Sequence, residues 1–172
     1  KIRGHNLLWH NQVPDWFFTD PNNPGRPATR DQLLARLKTH ITTVLRHFRD
    51  KYGDQNPIYC WDVCNEVISD SHANNGLRGS SENSKWLDII GPDYIEKAFE
   101  YAHEADPNVK LYINDYNIED NNQKTIDMYN LVKSLLDKGV PIDGIGLQMH
   151  INNNYPSVSD VKASIEKFAS LG

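Results

Sequence analysis

The sequence predicts an α/β fold of about four consecutive βα units, half the complement of an eight-unit (β/α)8 barrel. Three observations carry this expectation. Four short apolar, β-branched or aromatic runs alternate with longer stretches of helical periodicity, so the strands are joined by crossovers and pair in parallel. No G-x-G-x-x-G or Walker-type phosphate loop follows any strand, which counts against the small doubly wound sheet that four such units could also form. Polar and aromatic residues collect instead after every strand: His5 and Trp9, Asn65 and Glu66, Asn114 to Asn117, Gln148 and His150. Convergence of that kind on one rim is what the functional end of a barrel requires.

The elements follow in order. Ile2 to Trp9 reads as a strand, and the segment after it, Pro14 to Pro27, reads as a loop holding five prolines and glycines. A helix is expected from about Asp31 to Tyr52. Thr29 with Gln32 three residues on forms a capping-box signature, and Leu33, Leu34, Leu37, Ile41, Val44, Leu45 and Phe48 form its apolar stripe. Pro57 to Asn65 is the second strand, followed by a polar loop from Asp70 to about Ser84. A helix from about Asp93 to Ala105 ends at Asp106-Pro107. Lys110 to Asn114 is the third strand, and Asn122 to Lys138 a helix stopped by Gly139. Asp143 to Gln148 is the fourth strand, and Ser157 to Leu171 the last helix. Parallel strands joined this way take right-handed crossovers.

Composition narrows the class. With 172 residues, 38% hydrophobic and 24% charged, the chain describes one folded domain with a substantial core. A net charge of −5 argues against a nucleic-acid or anionic-membrane surface. No apolar run approaches the roughly 18 residues of a membrane span, and no signal segment is seen. Lys1 leads directly into a strand, so the chain is expected to be part of a longer protein. Cys60 and Cys64 lie four apart on one strand, with Cα atoms ~13 Å apart at ~3.3 Å per residue. That exceeds the roughly 4.4–6.8 Å of a disulfide, so both are expected as buried thiols.

The run Trp61-Asp62-Val63-Cys64-Asn65-Glu66 poses the sharpest question. A buried strand needs neither an amide nor a carboxylate at its end, so Glu66 is the first candidate for an acid or base, although local sequence alone also allows a surface carboxylate. Adjacent residues of a regular strand point oppositely, so Asn65 and Glu66 can serve one site only if the strand bulges or ends there. Gln148 and His150 share a side, as do His5 and Trp9. A rim of Trp, Tyr, Asn, Gln and His with few cations suits a sugar, whose hydroxyls meet amides and whose C–H faces meet aromatic rings. His10, His40, His47 and Trp61 are read as structural groups. No cofactor is called for. No metal is assigned either, since the run Asp115-x-Asn117-x-Glu119 has Asp120 and Ile126 where a calcium loop needs Gly and Glu.

Four motifs together resemble glycoside hydrolase family 10, the endo-β-1,4-xylanases. They are Arg3-Gly4-His5-Asn6-Leu7-Leu8-Trp9-His10, Trp61 to Glu66, Tyr112-Ile113-Asn114-Asp115-Tyr116-Asn117, and Gly144-Ile145-Gly146-Leu147-Gln148-Met149-His150. The resemblance implies a TIM (β/α)8 barrel, with these segments as its third to sixth strands and residues 1–172 as a catalytic domain truncated at both ends. It implies retaining cleavage of internal xylosidic bonds, with xylan or xylo-oligosaccharide as substrate. Carried over by position, Glu66 is similar to the general acid/base and Asn65 to the residue that bonds the 2-hydroxyl of the sugar at the cleavage point. His5 and Trp9 match residues lining that subsite, Gln148 and His150 match the pair that approaches the nucleophile, and Tyr116 matches an aromatic on the leaving-group side. Asp62 and Asp115 become structural.

Retaining hydrolysis needs a second carboxylate about 5–5.5 Å from the first. In the family this nucleophile is a Glu in an I-T-E-L-D-like seventh strand, which the chain does not contain. The 172 residues alone are therefore expected to be inactive, with the remainder of their own barrel as an expected partner. Two further readings stay open: a related β-glucanase, and a non-catalytic sugar-binding or structural remnant. A strand bearing Glu within about ten residues after Gly172 would favour an enzyme over the remnant, since βα connections are short. An extracellular or periplasmic location is expected only because a polymer cannot enter a cell.

Overall fold

The computed structural model describes residues 1–172. In chain order it contains β1 (Ile2–Leu8), β2 (Thr19–Asp20), β3 (Asn23–Pro27), α1 (Arg30–Tyr52), β4 (Ile58–Asn65), α2 (Trp86–Ile90), α3 (Tyr94–Ala105), β5 (Lys110–Asp115), α4 (Gln123–Asp137), β6 (Gly144–Leu147) and α5 (Val158–Ala169). One sheet runs β1-β4-β5-β6, and every neighbouring pair in it is parallel. The four strands, the three crossover helices α1, α3 and α4, and the last helix α5 fall within one or two residues of their expected bounds. The helix starts show why. Thr29 Oγ1 accepts from Gln32 N at 3.3 Å while Gln32 Oε1 accepts from Thr29 N at 2.8 Å, and Asn122 and Ser157 cap α4 and α5.

Two short elements depart from the sequence reading. The Pro14–Pro27 segment is not wholly a loop, because β2 and β3 form an antiparallel ribbon whose turn is fixed by Asn22 N donating to Asp20 Oδ1 at 2.9 Å. Proline is tolerated in so exposed a ribbon because a two-stranded sheet has outer N–H positions that need no partner. Arg36 of α1 holds the segment by donating to the carbonyls of Phe17 and Thr19 at 2.8 and 2.7 Å. The second departure is α2, one turn too short to show helical periodicity.

The two faces of the sheet differ in chemistry. The helix-covered face packs Leu33, Leu37, Ile41 and Leu45 of α1 with Val63, Leu111 and Ile113 of the strands, together with Phe99 and Ile95 of α3. Trp61 lies on this side, 5.7 Å from the Phe48 ring, and a Cβ at Gly4 would fall on the Trp61 indole. Gly4 is thus dictated by close approach. Cys60 and Cys64 are free and buried, as expected. The opposite face is polar: Arg3, His5, Asp62, Asn114 and Asn65 are bonded to one another across three strands. No helix is long and apolar enough to cross a membrane.

Candidate active site

The parity problem posed by Asn65 and Glu66 is solved twice over. Opposite β5, the register of β4 slips between Asp62 and Cys64, so Val63 is the extra residue of a bulge. The slip shifts side-chain parity by one, and Asn65 joins Asp62 on the polar face instead of pointing to the helices. The strand then ends, and Glu66 takes a left-handed backbone with φ 57°. That conformation costs a non-glycine residue of order 1–3 kcal/mol and persists only where surrounding contacts fix it. It turns the carboxylate back onto the face occupied by Asn65.

Those contacts come from three elements. Trp9 Nε1, just beyond β1, donates to Glu66 Oε2 at 2.7 Å, and Gln148 Nε2, just beyond β6, donates to Glu66 Oε1 at 3.0 Å. Glu66 N donates to Asn114 O at 2.8 Å. His150 Nε2 lies 2.9 Å from Gln148 Oε1, a bond that fixes the amide with its nitrogen toward Glu66 when that ring nitrogen carries the proton. The His5 and Trp9 rings stand 6.5 Å apart, so the candidate site residues His5, Trp9, Asn65, Glu66, Gln148 and His150 meet in one patch, and Tyr116 lies outside it.

Asn65 is 1% exposed and sits in register with Asn114, whose Nδ2 donates to Asn65 Oδ1 at 2.7 Å. Gln148 Nε2 is also 3.4 Å from that oxygen. Asn65 Nδ2, however, is buried without a partner. A buried amide donor left unmade costs roughly 1–3 kcal/mol, so this N–H₂ is set to meet an acceptor that residues 1–172 do not supply.

Within the support beneath the patch, Arg3 was not assigned a role by sequence. Arg3 reaches Asp62 Oδ1 through Nε at 2.9 Å and Nη2 at 2.5 Å, and its Nη2 reaches Asn114 Oδ1 at 3.1 Å. Asp62 Oδ2 bonds His5 Nδ1 at 2.9 Å, consistent with the structural role the family resemblance implied for it. A Cβ at Gly146 would fall on Arg3 Nη2 and Asn114 Oδ1, so glycine is what lets these side chains lie over β6. Alternation from His5 back to Arg3 was the available signal.

Tyr116 belongs to a second network beside the patch. Its hydroxyl donates to Asp70 Oδ2 and accepts from Arg78 Nη2 at 3.0 Å, while Lys124 Nζ lies 3.4 Å from its ring centroid. Lys124 also reaches Asp70 Oδ1 at 2.7 Å and Asp115 Oδ1 at 3.0 Å. Burial alone would raise the Asp70 carboxyl, but the hydrogen bonds from Lys124, Tyr116 and Arg78 outweigh it and hold Asp70 down at about 2. Asp115 is fully buried, and desolvation pushes it up to about 6 against the opposing Lys124. Its Oδ2 accepts from Ile68 N at 3.1 Å and its Oδ1 from Tyr116 N at 2.9 Å. Burial also lowers His10, whose Nδ1 has no partner. Every other acid near the rim is committed elsewhere: Asp62 to Arg3 and His5, Glu82 to Ser69 and Ser71, Glu119 to Ile118 N. Glu66 is held by neutral side-chain donors with no cation paired to it, and both of those donors come from the rim itself.

The sequence profile of glycosyl hydrolase family 10 matches residues 1–172. The chain is 69% identical over 172 residues to a protein described as exoglucanase XynX of Acetivibrio thermocellus, of which it spans 15%. It is 68% identical over 172 residues to endo-1,4-beta-xylanase A of Thermoanaerobacterium saccharolyticum, of which it spans 14%. Among solved structures it superposes with TM-score 0.93 on the intracellular xylanase TsXylA of Thermoanaerobacterium saccharolyticum, at 68% identity, covering all of this chain and 51% of that one. Mutants of the same enzyme were solved in complex with xylotriose and with xylotetraose. The chain thus spans about half of these solved relatives and a smaller share of the curated ones.

Proposed function

The chain belongs to glycosyl hydrolase family 10, a family of TIM-barrel xylanases, and we propose that it carries the acid/base half of a retaining endo-1,4-β-xylanase site. In this reading Glu66 protonates the glycosidic oxygen as the bond breaks, then removes a proton from the incoming water. Both of its oxygens accept hydrogen bonds, from Trp9 and Gln148. The acid form therefore releases one of them, and the two neutral donors steer the carboxyl without a competing cation. Asn65 Nδ2 supplies the free donor for a sugar hydroxyl, with His5 and Trp9 lining the same subsite. The observation that carries the reading is this pairing of an unpartnered buried amide with a carboxylate on one polar rim.

The nucleophile is proposed to come from residues outside 1–172, because the other carboxylates near the rim are engaged in ion pairs or backbone bonds. The remainder of the barrel is the proposed partner. The test is hydrolysis of xylan by the complete barrel, followed by proton NMR of the first-formed anomer. Retained configuration, with hydrolysis of xylan lost in Glu66→Ala, supports the reading, and inverted product sinks it. The 172-residue chain alone is expected to release no reducing sugar.

One observation favours a second reading, a β-glucanase: the relative at 69% identity is described as an exoglucanase. Comparing kcat/KM on xylan with that on cellulose separates the two, since a glucosyl unit carries a hydroxymethyl group that a xylose-shaped subsite must exclude. An extracellular or periplasmic location is proposed on the size of the substrate, although one relative is described as intracellular. Cell fractionation decides it.

A further inference from the structure

We infer that Arg78 is a positioning residue for Glu66, acting through a clamp on the chain reversal that follows β4. The inference rests on the proposed acid/base role of Glu66. Arg78 Nε donates to Glu66 O at 2.9 Å, Arg78 N donates to Val67 O at 2.8 Å, and Arg78 Nη2 donates to Ile68 O at 3.0 Å. One residue thus grips three successive carbonyls, the first of them that of Glu66 itself.

The geometry explains why a guanidinium is needed. The three carbonyls belong to a segment that starts with a left-handed residue and then pairs with the returning chain through an Ile68–Leu77 bridge. The two hydrogens of Nη2 are shared among Ile68 O, Asp70 Oδ2 at 2.9 Å and Tyr116 OH at 3.0 Å, while the adjacent Nε–H meets Glu66 O. A planar group with Nε and Nη2 rigidly spaced side by side does this, and an ammonium, a single point donor, does not. The Arg78 side chain is only 6% exposed, and Asp70 and Glu82 balance its charge. On the far side, Ile68 N is held by Asp115. Glu66 itself is fixed at its N–H by Asn114, at its carbonyl by Arg78, and at its carboxylate by Trp9 and Gln148. Only the carbonyl contact comes from outside the strand ends, so Arg78 fixes the side of the Glu66 backbone that the strand ladder does not.

The test is made in the complete barrel with Arg78→Lys, which keeps the charge and loses the fork, and with Asp70→Asn, which loosens Nη2 and spares folding should the first variant fail to fold. Aryl xylobiosides with a poor and a good leaving group are compared, because only the poor one needs a proton from Glu66. The clamp predicts that the poor substrate loses about tenfold or more relative to the good one in Arg78→Lys, and a few-fold in Asp70→Asn. Equal losses on both substrates would mean a folding role only and overturn the inference. A crystal structure of either variant provides a readout independent of activity. Loss of the Trp9 and Gln148 bonds to a displaced Glu66 carboxylate is expected. A Glu66 unmoved, with both bonds intact, overturns the clamp even if the parent protein hydrolyses neither substrate, an outcome that by itself would count against the proposed function instead.

Discussion

Trp9 Nε1 donates to Glu66 Oε2 at 2.7 Å, tying the segment after β1 to the end of β4 across the polar rim. Trp9→Phe keeps an aromatic surface and removes the donor. A hydrogen bond to a charged group is worth about 1.5–3 kcal/mol, so kcat/KM of the complete barrel on xylo-oligosaccharides is expected to fall roughly ten- to hundredfold. A change smaller than about threefold would show that the indole N–H does not orient the carboxylate.

Asn65 offers a cleaner test of the free donor. Asn65→Asp keeps the oxygen that accepts from Asn114 and Gln148, and replaces the unpartnered N–H₂ with an acceptor. A contact that strengthens in the transition state shows in kcat more than in KM. A loss of about a hundredfold in kcat with KM within a few-fold is expected. An unchanged kcat would mean that the donor meets water, not substrate.

Gly146 tests the support beneath the site. Its hydrogen faces Arg3 Nη2 and Asn114 Oδ1, and a methyl group there must push both away. Overpacking of this kind costs about 1–3 kcal/mol, and Gly146→Ala is expected to lower the urea midpoint accordingly. Activity should fall further than stability explains, because Asn114 also holds Asn65.

How much of this was legible in the sequence follows from which interactions are local. Thr29 and Gln32 announced the start of α1 because a capping box is a contact three residues long, and the Leu33-to-Phe48 stripe repeats at the helical period. The rim residues were legible because strand ends fall where apolar runs stop. The bulge at Val63 could be posed as a question and not read, since register depends on β5, which is remote in sequence. Arg78 escaped for the same reason. It lies in a loop with no period, and its partners Glu66, Asp70 and Tyr116 come together only in the fold. Tyr116 was read by position as a sugar contact, yet its hydroxyl is bonded to Asp70 and Arg78, a linkage that no spacing announces.

Asp70 should make that network acid-sensitive. Its carboxyl is held near 2, below the ordinary value of 3.8, by Lys124, Tyr116 and Arg78. A depressed carboxylate contributes stability above its unfolded value, and the contribution is lost as pH falls through its folded value. The stability difference between wild type and Asp70→Asn, measured by thermal melting, is therefore expected to be full above about pH 4 and to vanish toward pH 2. Partial exposure of the side chain keeps the effect modest. A difference constant from pH 2 to 5 would mean that Asp70 is not ionised in the network.

The outer strands β1 and β6 each have a neighbour on one side only, and parallel sheets with unpaired edges are templates for further pairing. Apolar side chains lie exposed near both edges: Ile2 and Trp16 on the β1 side, Ile151 and Val158 on the β6 side, the last 87% exposed. Clusters of this kind favour association. The polar face adds a second drive, since Arg3 and His5 stay 34% and 47% exposed above the buried Asp62 and Asn114. Size-exclusion chromatography of the 172-residue chain is expected to show species larger than 19.7 kDa or loss of soluble protein. Co-expression with a polypeptide supplying the other strands of the barrel should replace them with a one-to-one complex that gains xylanase activity. A stable monomer that unfolds cooperatively would show instead that the four-stranded sheet tolerates its open edges, and that the complementing half is needed for chemistry alone.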